Sequence, residues 1–93
     1  KGNRKEMLVE IKNWILSNST HQVEMNESEY TSSLVVDFEN ENKIARFTVW
    51  DDKSCMLEVM DVDTGGYIIN ERRELSEISE IIESFKEFND FVN

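Results

Sequence analysis

Proline is missing from this sequence altogether, and glycine occurs only as Gly2, Gly65 and Gly66. A chain so poor in backbone breakers should consist of regular elements joined by short turns. A single cysteine, Cys55, excludes an internal disulfide and suits a reducing compartment. Only one histidine, His21, accompanies it. Four soft zinc ligands cannot be gathered from that pair, and a Cys/His nucleophile would depend on tertiary coincidence. No apolar run approaches the roughly 18–20 residues of a membrane-spanning helix. No apolar segment of the kind a signal peptide carries follows the polar stretch Lys1 to Glu6. The expected location is the cytoplasm, with no membrane partner.

Positive charge is also scarce. Ten Lys and Arg stand against twenty Asp and Glu, a formal net charge of −10. Residues 1–12 hold four basic and two acidic groups, so the other 81 residues hold six and eighteen, a net of −12. A field of that sign repels nucleic acid and steers a basic partner into encounter, although acidic residues also serve plain solubility. Arg72-Arg73 alone is too small a basic patch for nucleic acid.

What is present is a folded domain's pattern. The 93 residues suffice for one domain, 1–93, with residues 1–3 expected to form a loose N-terminal extension. Leu8, Ile11 and Ile15 recur at helical spacing, with Met7 and Trp14 beside them, and predict a helix from about Arg4 to Asn18. The period then changes to two. His21, Val23 and Met25 suggest a first edge strand, with a turn at Asn26 to Glu29. Strands follow at Tyr30 to Glu39, Ile44 to Trp50, Cys55 to Met60 and, more briefly, Tyr67 to Asn70, joined by polar turns. Gly65 and Gly66 offer positive φ in the last hairpin. Glu71 to Glu74 reads as a link to a closing helix, Ser76 to Val92, with Ser76 as N-cap and Ile78, Ile81, Ile82, Phe85, Phe88 and Val92 as its apolar stripe.

The expected fold is therefore α+β, a two-layer sandwich. Four or five antiparallel strands form a meander, and both helices pack on one face. Alternation then sorts the strands. Leu34, Val36 and Phe38, Ala45, Phe47 and Val49, and Cys55, Leu57 and Val59 should face the helices. Asp37, Glu39, Arg46, Thr48, Trp50, Met56, Glu58 and Met60 should face away. Aromatic, Met and Arg side chains are enriched at interface centres. The candidate partner-binding set is accordingly Asp37, Glu39, Arg46, Trp50, Met56, Glu58 and Met60, with Asp51 and Asp52 in the adjoining turn. Cross-strand pairing of Arg46 with Asp37 or Glu58 is the structural alternative.

Catalytic and cofactor chemistry finds little foothold. Cys55 on an alternating strand reads as a small buried hydrophobe. Asp61 to Gly65 lacks the third ligand spacing and closing Glu of a calcium loop, and Gly65-Gly66 lacks the remainder of a phosphate loop. No catalytic residue, metal or cofactor is assigned.

Several strings carry a resemblance: Val35-Val36-Asp37-Phe38, Arg46-Phe47-Thr48-Val49-Trp50, Leu57-Glu58-Val59 and Asp61 through Gly65. With the opening helix around Trp14 and the closing acidic-apolar helix, residues 8 to 92 resemble the TriTu family of bacterial immunity proteins of polymorphic toxin systems. That resemblance implies neutralisation of a co-produced toxin, commonly a nuclease, by direct binding in the cytosol, without a catalytic motif. Family members often carry Gly in the turn after the Trp, where this chain has Asp51-Asp52-Lys53-Ser54, a departure that leaves the geometry of that turn open but not the fold. The leading functional expectation is a non-enzymatic immunity protein, monomeric or weakly dimeric, that meets a basic toxin through an acidic surface. The alternative is a small acidic secretion chaperone or adaptor that dimerises.

Overall fold

The computed structural model describes residues 3–93. Its order is α1 (Asn3–Asn18), β1 (Glu24–Glu27), β2 (Ser32–Glu39), β3 (Lys43–Trp50), β4 (Ser54–Asp61), β5 (Tyr67–Glu74) and α2 (Ile78–Val92). The strands form one antiparallel five-stranded meander in the order β1-β2-β3-β4-β5. Residues from both helices and from the inward-facing strand positions share a single core, so the helices lie on the same face of the sheet. The α+β sandwich expected from alternation is the one observed. Among the described residues, no helix is long and apolar enough to cross a membrane.

The core follows the two periodicities. Leu8, Ile11 and Ile15 of α1 and Ile81 and Phe88 of α2 are fully buried, as are Leu34, Val36, Phe47, Val49, Cys55, Leu57 and Val59 from the strands. Phe47, Phe85 and Phe88 form an aromatic cluster with ring centroids 5.6–6.1 Å apart. Trp14 meets Phe85 edge-on at 6.0 Å. Burying such rings is the largest single apolar gain open to a chain of this size.

Four boundaries differ from expectation. Lys1 and Gly2 of the expected extension lie outside the described residues, but Asn3 already opens α1. The first strand begins at Glu24 and pairs as far as Glu27, and the turn falls at Ser28, whose N–H and hydroxyl both bond the Thr31 carbonyl. His21 and Val23 do pack towards the core, so the alternation continues outside the ladder. Glu71 to Glu74 is the second half of β5, paired with Ser54 to Leu57, and not a linker. Finally, α2 is capped at Glu77 and not at Ser76. Glu80 Oε1 accepts the backbone N–H groups of Ser76 and Glu77 at 2.9 and 3.0 Å, which holds its carboxyl below the usual range.

The hairpins show where special backbone is needed. In the β4–β5 loop only Gly65 adopts positive φ, at 74°. Asp61 Oδ1 accepts the N–H groups of Asp63 and Thr64 and fixes that turn. In the β3–β4 turn the positive φ falls on a residue with a side chain, Lys53 at 69°. The turn after the tryptophan thus keeps a glycine-type geometry on a lysine.

Candidate functional site

Pleating leaves the second face of the sheet uncovered. The register lays its side chains out in rows across the strands. One row runs Glu24, Val35, Thr48, Met56, Arg72. The next runs Asp37, Arg46, Glu58, Asn70, and the one beyond it Glu39, Ile44, Met60, Tyr67. At the opposite end Asn26, Ser33 and Trp50 lie abreast. Seven of the nine sequence-predicted residues are therefore on one surface: Asp37, Glu39, Arg46, Trp50, Met56, Glu58 and Met60. Thr48 belongs to this face too but is only 8 % exposed, set between Val35 and Met56.

Charge on the face is partly paired. Arg46 donates Nε to Asp37 Oδ1 at 2.7 Å and Nη2 to Oδ2 at 3.3 Å, a two-point contact between directly opposed residues. The Asp37 carboxylate raises the arginine's pKa, with a smaller push from Glu58 on the other flank. Both partners are more than half exposed, so the pair orients the side chains more than it stabilises the fold. Trp50 is not bare. The Arg72 guanidinium lies 4.9 Å from its ring centroid, a cation–π contact that covers the indole.

Asp51 and Asp52 stand apart. Asp51 Oδ2 accepts the Ser32 N–H at 2.9 Å and Oδ1 the Thr31 hydroxyl at 3.4 Å, closing the end of the β2–β3 ladder. Asp52 accepts both the hydroxyl and the N–H of Ser54, and these bonds lower its pKa. The Asp51 carboxylate thus ties the turn to the start of β2, and that of Asp52 serves the turn itself. A hollow of about 250 Å³ beside them is lined by Arg4, Met7 and Lys53 as well.

Alternation marked residues that the candidate set left out. Ile44 has the same parity as Arg46 and is 47 % exposed; Tyr67, opposite Met60, is 52 % exposed. The usable signal was parity: both share a face with Arg46 and Met60.

The residues capable of nucleophilic or acid–base chemistry are dispersed into structural roles. Cys55 is fully buried, and burial pushes its thiol pKa up, away from the reactive thiolate. The His21 ring packs against Phe38 and Phe85 at 5.8 and 5.9 Å, and its Nε2 lies 2.8 Å from Asn89 Oδ1. Arg73 reaches from β5 to α2, donating to Glu71, to the Ser84 hydroxyl at 3.0 Å and twice to Glu87. Among the described residues, His, Cys, Asp and Glu nowhere gather in a group of three that could hold a metal. The Asp61 carboxylate is engaged by its own turn. The arrangement offers a surface for contact, with shallow hollows beside Ile44 and Arg46.

Fold and face together define a small α+β domain with one half of its sheet covered and one half presented. The chain belongs to the TriTu family of immunity proteins, whose family model matches residues 9–91. That match takes in every strand, the second part of α1 and all but the last residue of α2. Membership implies a toxin as partner. No curated protein matches the chain.

Proposed function

We propose that this chain is a non-enzymatic immunity protein that binds a co-produced basic toxin in the bacterial cytoplasm and silences it through the open face of its sheet. One observation carries the reading. The face that the helices leave free concentrates Asp37, Glu39 and Glu58 around one paired arginine, in a chain of net charge −10. Acidic groups there speed encounter with a basic surface, and the Met, Trp and Tyr side chains among them supply desolvated contacts once the surfaces meet. Where the toxin is a nuclease, carboxylates spaced along strands stand in for the phosphates of its substrate and block the groove by occupation.

The test is genetic and direct. Deleting this gene from a host that keeps the adjoining toxin gene should be lethal, and restoring the gene should rescue growth. A healthy deletion strain with an active toxin would refute the proposal.

A further inference from the structure

Among the described residues, seven large apolar side chains stand in solvent, and four of them belong to the end of the sheet where β3 begins and the β4–β5 loop lies: Ile44, Val62, Tyr67 and Ile68. Their exposures are 47, 42, 52 and 44 %. The register explains the cluster. Ile44, Met60 and Tyr67 are direct cross-strand neighbours. A break in register at Val59/Met60 leaves Ile68 as the extra residue of β5. Val62 donates its N–H to the Asn42 carbonyl, which ties the β2–β3 and β4–β5 loops together at this end. Beside the cluster lies a hollow of about 200 Å³ lined by Asp37, Ile44, Arg46, Glu58, Met60 and Tyr67.

Such a grouping is not what solubility asks for. Apolar residues exposed singly are ordinary, but Ile44, Met60 and Tyr67, adjacent across three strands at a sheet edge, invite association. The surrounding charge limits what can associate. Asp37, Glu39 and Glu58 against Arg46 leave a surplus of two negative charges on the adjoining rows. A second copy of this acidic chain is repelled, whereas a basic surface is drawn in.

The geometry points to this corner as the anchor of the toxin interface, taking an apolar toxin side chain flanked by lysine or arginine. The inference rests on the open face being the toxin-binding surface, and it moves the centre of that surface from Trp50, which Arg72 already covers, to Ile44, Met60 and Tyr67.

Hydroxyl-radical footprinting tests it, on the free protein and on its complex with the purified product of the adjoining toxin gene. Met60 and Tyr67 should be oxidised when free and protected in the complex, while Tyr30, 86 % exposed on a distant turn, stays reactive in both. In parallel, an Ile44→Ser, Tyr67→Ser double variant should weaken binding about thirtyfold. Trp50→Ala should weaken it less. If the double variant binds as wild type while Trp50→Ala does not, the corner assignment is overturned and the open-face reading stands. Protection on α1 or α2 in place of the sheet overturns both. Protection of Met60 and Tyr67 in the protein alone, with a dimer in sedimentation, would give the corner to a second copy and overturn the toxin anchor. Failure of the toxin to bind wild-type protein removes the proposed function and the corner with it.

Discussion

On one face of this sheet Phe47, Leu57 and Val59 are fully buried beneath two helices; one residue further along the same strands, Arg46, Glu58 and Met60 look outward. Both faces are written into the same eight-residue strands, separated only by parity. The covered face holds the apolar area that makes the domain fold. The open face is free of that duty, so charge, sulfur and aromatic rings can sit on it without a stability penalty that matters. What a substitution does should therefore depend on parity more than on position along the chain.

The largest test of that contrast is Phe47→Ala. Emptying the space among Phe85 and Phe88 should cost about 3–5 kcal/mol in urea unfolding, enough to abolish most of the fold of a domain this small.

Arg73 is an inward-facing exception, a charged residue that crosses from β5 to α2. Arg73→Met should cost about 1–2 kcal/mol, since it strips the buried Ser84 hydroxyl of its donor and unpairs Glu87. It also carries a pH signature. Hydrogen bonding to Arg73 holds the Glu87 carboxyl below its ordinary 4.5. A depressed native pKa adds stability above the unfolded value, and that stability is lost as pH falls through the native one. The gap between wild type and variant should stay constant above about pH 5 and shrink below about pH 4, followed by denaturation at each pH.

A smaller effect has the opposite sign. Lys53 adopts φ 69°, which costs an L residue strain that glycine escapes. Lys53→Gly should stabilise by about 0.5–1 kcal/mol, read as a higher urea midpoint at unchanged slope. Smallest of all, Arg46→Met on the open face should change stability by no more than about 0.5 kcal/mol, because the Asp37 pair it breaks is exposed. Were Arg46→Met to rival Phe47→Ala, the division between the two faces would be wrong.

The sheet's centre was legible because β2, β3 and β4 alternate cleanly, and the register follows from which alternate set is apolar. The second half of β5 was not. Asn70-Glu71-Arg72-Arg73-Glu74 shows no apolar period, since at this edge the inward positions are held by Glu71 and Arg73, whose polar groups bond each other and α2. Ser76 misled as a cap because its hydroxyl type fits, whereas the operative signal was Glu77 with Glu80 three residues on. On the candidate surface, the acid–arginine row was readable from parity. The bonds that hold Asp51 to Ser32 across the sheet and Asp52 to Ser54 within the turn were not legible, because they depend on the folded register and on turn geometry. Ile44 shares the parity of Arg46, so alternation alone puts it on the open face, whereas the place of Tyr67 beside Met60 depends on the register break at Val59/Met60.

Binding by two charge-reversed variants tests the account most directly. One carries Asp37→Lys and Glu58→Lys on the open face, the other Glu83→Lys and Asp90→Lys on exposed positions of α2, and both change net charge equally. Titrated against the cognate toxin, the open-face variant should lose binding, and the α2 variant should stay close to wild type apart from a slower association. Equal losses, or a greater loss from the α2 variant, would contradict the claim that the uncovered face of the sheet meets the toxin.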